Sequence, residues 1–218
     1  MSALPTLSLL ETRVLGVLVE KQHTVADSYP LTLNALVAGC NQKTSRDPVL
    51  DASEAEVQAA IDHLKSLSLV METSGGRVMR YAHNVGKVLG LPPQSVALLA
   101  VLFLRGPQTA GELRINSDRL HKFGDILSVE AFLNELAEKP FVRELGKAPG
   151  ARETRWTHLL SGEAAAAAGG GQPAAPATGD AVTVSELAAL RANMEHLQGE
   201  VAELRDSVAR IKKELGIS

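Results

Sequence analysis

The chain has little of three features that mark whole classes of protein: cysteine, long apolar runs and basic charge. Its only cysteine, Cys40, cannot form an internal disulfide, and within an apolar stretch it is most simply a small buried residue. No stretch approaches the roughly 18 apolar residues of a membrane-spanning helix. Residues 1–30 lack the charged start and apolar centre of a secretory signal. We therefore expect a soluble, cytoplasmic protein in a reducing compartment.

Charge is balanced over most of the chain. Residues 1–160 contain 17 lysines and arginines and 17 aspartates and glutamates, while residues 161–218 contain 5 and 8, which gives the net charge of −3. Domains that bind phosphates usually carry a basic excess, because counterion release supplies much of their affinity. Any nucleic-acid interface in this chain must therefore be a local basic surface.

Enzyme motifs are also missing. The sequence has no glycine-rich phosphate loop ending in Lys-Ser/Thr, no Gly-x-Ser-x-Gly and no His-Glu-x-x-His. Its six histidines lie too far apart for a local metal motif: His23, His63, His83, His121, His158 and His196. We predict a protein without enzymatic activity, and no catalytic, cofactor-binding or metal-binding residues.

One apolar pattern occurs twice in the chain, at an offset of about 72 to 84 residues. The run from Val14 to Val19 matches the run from Leu98 to Phe103, and Arg80-Tyr81 matches Arg155-Trp156. Between them, four apolar positions of one copy match four of the other: Val57, Ile61, Leu64 and Val70 with Val129, Leu133, Leu136 and Val142. The repeat predicts two copies of one small fold.

Each copy reads as three helices followed by a β-hairpin. In the first, helices are predicted over residues 8–21, 32–40 and 53–68, the last opened by the capping box Ser53-Glu54-Ala55-Glu56. Two short strands flank the turn Ser74-Gly75-Gly76. The second copy repeats this order, with helices from Pro92, Thr109 and Ser128 and a hairpin over residues 141–160. This order predicts a mainly α fold with small β-hairpin wings (α+β), namely tandem winged helix-turn-helix domains.

The predicted domains are residues 1–86 (the first repeat) and 87–160 (the second repeat), joined near residues 86–93. We expect each repeat to have its own hydrophobic core. Leu15, Leu18, Ile61 and Leu64 should lie inside the first one.

Three stretches of the first repeat and one of the second closely resemble the YceH-like family of bacterial proteins. They are residues 11–16 (ETRVLG), 29–36 (YPLTLNAL), 40–49 (CNQKTSRDPV) and 104–114 (LRGPQTAGELR). The resemblance covers about residues 8–160 and implies tandem winged helices. The family is of unknown function, so it supplies no site residues.

The remainder of the chain differs in character. Residues 161–181, rich in alanine, glycine and proline, predict a flexible linker. Residues 182–218 predict a coiled-coil helix and a parallel homodimer, in which Glu186 would meet Arg191 and Glu200 would meet Arg205. A single amphipathic helix docked on the globular part is the alternative. The predicted dimerisation residues occupy the a and d heptad positions: Leu187, Leu190, Met194, Leu197, Val201, Leu204, Val208, Ile211 and Leu215.

The predicted fold favours a DNA-binding transcriptional regulator that binds double-stranded DNA. The third helices are acidic, with Glu54, Glu56 and Glu130 near their starts, so the connections and wings would have to supply the basic contacts. A solvated surface of mixed charge is an equally good reading of those basic residues. The candidates are Lys43, Arg46, Arg77, Arg80, Arg114, Arg119, Lys122, Lys147, Arg152 and Arg155.

Two other functions stay open. A protein-interaction scaffold would dock a protein partner through the winged-helix surfaces, with the coiled coil making the assembly bivalent. A small-molecule sensor or an enzyme is the third and least favoured reading. No membrane contact is expected.

Overall fold

Each repeat contains three helices and one hairpin in the computed structural model, which describes residues 6–74, 78–146 and 153–162. The first repeat consists of α1 (Leu9–Thr24), a 3-10 turn (Ala26–Ser28), α2 (Leu33–Cys40), α3 (Glu54–Ser66), β1 (Val70–Ser74) and β2 (Met79–His83). The short helix α4 (Val85–Leu89) leads into the second repeat. That repeat consists of α5 (Pro93–Arg105), α6 (Ala110–Asn116), α7 (Ile126–Glu138), β3 (Val142–Leu145) and β4 (Arg155–His158). The predicted class, mainly α with small hairpins, is confirmed.

Polar side chains at the start of α1, α2, α3, α6 and α7 explain where these five helices begin. Ser8 with Glu11, Ser53 with Glu56, and Thr109 with Glu112 form complete capping boxes, so that free backbone amides of the first turn gain partners. The capping box predicted at Ser53 is thereby confirmed. The helix predicted from Ser128 begins two residues earlier, because Asp125 accepts hydrogen bonds from both the backbone amide and the hydroxyl of Ser128.

The two hairpins have the same construction. β1 pairs antiparallel with β2 from Val70↔His83 to Ser74↔Met79, and β3 pairs with β4 from Val142↔His158 to Leu145↔Arg155. A single residue ahead of the second helix of each repeat adds a third partner to the sheet, as the bridges Leu31↔Tyr81 and Gln108↔Trp156. Helices and sheet segments thus follow the order expected of a winged helix in both repeats.

The two repeats share one continuous hydrophobic core, so the prediction of separate cores is wrong. α1 packs against α5, and both helices are buried along most of their length: every residue from Glu11 to Val19 and from Ser95 to Leu104 is buried. A β-carbon on Gly16 would lie 2.9 Å from Leu104, so glycine permits this close approach. Helices that are apolar on all sides belong at the centre of a fold rather than at its edge.

The core positions predicted for the first repeat are correct, since Leu15, Leu18, Ile61 and Leu64 are all completely buried. No helix within the described ranges is long and apolar enough to cross a membrane. The predicted heptad helix, and the predicted linker apart from Ser161 and Gly162, lie outside the described residues. Three of the basic candidates, Arg77, Lys147 and Arg152, lie outside them as well.

Candidate interaction surfaces

The connection between α2 and α3 (residues 41–53) is held in place by Arg46, one of the candidate DNA-binding residues. Its guanidinium donates to both carboxylate oxygens of Glu20. Nη1 lies 3.1 Å from Oε1, and Nη2 lies 2.6 Å from Oε2. Nε donates to the carbonyl of Gly39 at 3.1 Å. The Arg46 side chain is completely buried. This placement removes Arg46 from the phosphate-binding candidates, because its donors are used within the fold.

A second buried arginine fixes the same connection from α1. Arg13 donates to the carbonyl of Cys40 at 3.1 Å and to that of Pro48 at 2.6 Å. Asn41 and Ala52 close the segment with two hydrogen bonds of 2.8 Å. The stretch 40–49, the most specific part of the family resemblance, therefore has a structural role in this fold.

Glu20 remains ionised in this setting. Its burial alone would raise the carboxyl pKa, but the hydrogen bonds and charge of Arg46, assisted by Lys21, bring that pKa below its ordinary value. The Glu20–Arg46 ion pair is therefore charged at neutral pH.

Arg80 and Arg155 occupy matching positions in the two hairpins and make matching contacts. Arg80 Nη1 donates to the Pro30 carbonyl, and Arg155 Nη1 donates to the Pro107 carbonyl, each at 2.8 Å. Arg155 also forms an ion pair with Glu112 at 3.0 Å. Each arginine thus joins its hairpin to the chain just before the second helix of the same repeat, and part of its donor capacity is used there.

Besides Arg155, four basic candidates are exposed among the described residues: Lys43, Arg114, Arg119 and Lys122. Three of them belong to the second repeat, on α6 and on the connection that follows it. Arg114 donates to the carbonyl of Gly124 at 3.2 Å, which ties it to that connection.

The third helices offer little to a phosphate backbone. On α3, Glu54, Glu56 and Asp62 are exposed, and the single cation, Lys65, forms ion pairs with Asp62 and Glu72. α7 contains neither lysine nor arginine. A carboxylate about 4 Å from a phosphate is opposed by roughly 1 kcal/mol even in water, so these helices are poorly suited to enter a groove of DNA.

The start of α7 is instead apolar and exposed. Ile126 is 46% exposed and Leu127 73% exposed, and on α6 Ile115 is 73% exposed. The Ile126 side chain comes within 4.0 Å of where a β-carbon on Gly111 would lie. Ile115 follows Gly111 by four residues and so lies on the same side of α6. We call Ile115, Ile126 and Leu127 the apolar patch. Nothing in the sequence reasoning had singled these residues out.

Burial shifts the pKa values of three side chains, Cys40, His83 and His158. It raises the pKa of the Cys40 thiol to about 12, so this side chain packs as the small buried residue we predicted. His83 and His158 are matching residues at the ends of the two hairpins. Burial lowers the pKa of each imidazole to about 4, assisted at His83 by the charge of His23, so both are neutral near pH 7.

Comparison with known proteins places the chain in one group of bacterial sequences. The family described as "Protein of unknown function, DUF480" matches residues 7–151. A UPF0502 protein of Cupriavidus taiwanensis is 59% identical over 218 residues, covering 99% of this chain and 90% of the relative. Relatives from Burkholderia orbicola and Leptothrix cholodnii are each 58% identical and cover 99% and 96% of this chain, and 92% and 95% of their own lengths. These matches agree with the resemblance inferred from the sequence motifs.

Proposed function

This chain belongs to the DUF480 (UPF0502) family, and we propose that it is a non-enzymatic, tandem winged-helix protein-interaction module that docks a protein partner on the α6–α7 face. The observation that carries the proposal is the apolar patch. Two of its three residues, Ile126 and Leu127, occupy the first turn of the third helix, where a DNA-reading helix-turn-helix protein places the side chains that touch base edges.

The chemistry of that turn suits a protein surface better than a base pair. Base edges are read mainly by arginine, lysine, asparagine and glutamine, which supply hydrogen bonds. No side-chain hydrogen bonds can come from Ile126, Leu127 or Ala131. The apolar area exposed by Ile126 and Leu127 is stabilised when it is removed from water. Neighbouring exposed apolar side chains with a polar surround are a usual mark of a docking site.

The charge around the apolar patch indicates the charge that a complementary partner surface would carry. Glu130, Glu135 and Glu138 continue along α7 from the apolar turn, and Asp125 caps its start. A complementary partner surface would therefore carry apolar side chains flanked by basic ones. The heptads of residues 186–216 support a parallel homodimer, which would present two such faces and raise the apparent affinity for a bivalent partner.

DNA binding is the second candidate, favoured by one observation. Arg114, Arg119 and Lys122 are exposed within nine residues of sequence on and after α6, and Lys43 is exposed on the connection of the first repeat. They are the exposed cations that a phosphate-binding role would use, although the third helices are acidic or apolar.

Site-specific crosslinking separates the two functions. A photoreactive phenylalanine analogue at exposed Ala131, one turn from Leu127, should yield a discrete protein adduct in cells of the native host. Leu127→Glu should abolish that adduct. Val88→Glu, which changes an equally apolar residue of α4 that is 40% exposed, should leave it intact. Both substitutions lie at the surface and should alter stability by no more than about 0.5 kcal/mol.

Three results would contradict the proposal. They are the absence of any adduct, an adduct that persists in Leu127→Glu, and an adduct to nucleic acid in place of protein. The last of these would support the DNA candidate.

A further inference from the structure

A cavity of about 440 Å³ lies between the two repeats. Its walls come from the last turns of α1, residues 42–45 of the first connection, the end of α5, and α6 with the turn that follows it. Because both repeats line it, the cavity exists only in the assembled fold. Pockets for small molecules usually measure roughly 300–1,000 Å³. The lining residues are Glu20, Lys21, Thr24, Gln42, Ser45, Val101, Leu104, Arg105, Ile115, Asn116, Asp118, Arg119 and Leu120.

Positive charge exceeds negative charge in this cavity. Three cations line it, Lys21, Arg105 and Arg119, against two carboxylates, Glu20 and Asp118. Buried Arg46 already neutralises Glu20 through two hydrogen bonds. The lining therefore has more cationic hydrogen-bond donors than carboxylates to accept from them.

Arg105 is held in position at the cavity wall. Its Nη2 donates to the hydroxyl of Ser45 at 2.7 Å, and next to it the amide of Asp47 donates to the carbonyl of Leu104 at 2.8 Å. A guanidinium has five N–H donors in a fixed plane, so Arg105 keeps donors for a ligand after binding Ser45. A fixed guanidinium recognises a carboxylate through charge-assisted hydrogen bonds at little entropic cost.

The other part of the lining is apolar. Ile115 on α6, which is 73% exposed, and half-buried Leu120 after α6 contribute aliphatic surface beside the charged groups, whereas Val101 and Leu104 lie buried beneath the cavity floor. An inorganic anion would leave that apolar surface exposed to water, whereas an anion with a hydrocarbon body would cover it.

From the lining charges, the fixed Arg105 and the aliphatic wall, we infer that this cavity binds a small organic carboxylate with an apolar body. The carboxylate contacts Arg105 and Arg119, and the hydrocarbon part lies against Ile115 and Leu120. Its binding joins the first connection to α6, so it stabilises the arrangement of the two repeats.

The test uses two isosteric probes, 2-naphthoate and its neutral carboxamide, titrated into the full chain by calorimetry and by amide NMR. The carboxylate should bind saturably at submillimolar concentration and shift the signals of residues 42–45 and 116–120. The carboxamide should bind at least about tenfold more weakly, as expected for loss of a hydrogen bond to a charged group.

Two variants locate the site. Arg105→Gln and Arg119→Gln should each weaken 2-naphthoate binding by about tenfold. Arg114→Gln, which changes an exposed arginine of α6 outside the cavity, should leave binding unchanged. Arg119→Gln keeps the test valid if Arg105→Gln disturbs the fold through loss of its bond to Ser45. The inference is overturned if 2-naphthoate shows no saturable binding at millimolar concentration, if the carboxamide binds equally well, or if Arg114→Gln weakens binding as much as Arg119→Gln.

Discussion

Replacing Arg46 by alanine should destabilise the whole fold rather than weaken an interaction with DNA. The substitution removes both hydrogen bonds to Glu20 and the one to the Gly39 carbonyl. It leaves the Glu20 carboxylate, only 15% exposed, with Lys21 at 3.3 Å as its remaining cation. Breaking a buried ion pair from one side costs about 3–5 kcal/mol, and the remaining lysine places the expected loss near the lower end, about 3 kcal/mol.

Equilibrium urea unfolding, followed by far-UV circular dichroism, measures this loss. Lys43→Ala is the matched control, because Lys43 lies in the same connection but is exposed, and it should cost no more than about 0.5 kcal/mol. A double-mutant cycle with Glu20→Gln and Arg46→Met should give a coupling energy of at least about 1 kcal/mol. The structural role assigned to Arg46 is refuted if Arg46→Ala costs no more than Lys43→Ala, or if the coupling is absent.

Three further predictions follow from the core, the buried histidines and the heptads. Leu64→Ala should lower the free energy of unfolding by about 2–5 kcal/mol. Because the core is shared, it should also lower the unfolding midpoint reported by Trp156, the chain's only tryptophan, which lies in the other repeat. An unchanged Trp156 midpoint would indicate separate cores. Between the ordinary histidine pKa of 6.5 and the folded value of about 4, the unfolded chain binds protons that folded His158 does not, so stability falls as pH falls. His158→Gln should reduce that slope by up to about 1.4 kcal/mol per pH unit in urea titrations, and an unchanged slope would show that His158 titrates normally. Removing residues 182–218 should turn a homodimer into a folded monomer by sedimentation, and a full chain that is monomeric at tens of micromolar would disprove the coiled coil.

Local elements could be predicted from the sequence because local chemistry determines them. Ser53 with Glu56 marks a helix start in any context, and short β-prone runs around a glycine turn mark a hairpin. The joint core could not be predicted in the same way. The runs 14–19 and 98–103 were read as two copies of one buried helix, whereas their unbroken apolar character reflects burial against each other as well as against their own repeats.

The basic residues show why the partners of a side chain are harder to predict from the sequence than the helix or strand that carries it. Arg46 lies in a polar stretch and was expected at the surface, yet its charge is buried against Glu20, 26 positions away in the chain. Arg80 and Arg155 recur before an aromatic residue in both repeats, and that recurrence was itself a signal of a structural role. The apolar patch was missed because the helix was expected to begin at Ser128, which left Ile126 and Leu127 in a connection.

The most direct test of the account is a titration of the full chain with a fluorescent duplex of mixed sequence, read by anisotropy at low and moderate salt. Docking of a protein on the apolar patch, with acidic third helices, predicts no saturable DNA binding at micromolar protein under either condition. The opposite result would be saturable binding whose logarithmic affinity falls with logarithmic salt at a slope of about −2.7, from about 0.9 for each of the three phosphates that Arg114, Arg119 and Lys122 could neutralise. That slope, flattened by replacing these three residues with alanine, would contradict the docking function and establish a DNA-binding surface on the second repeat.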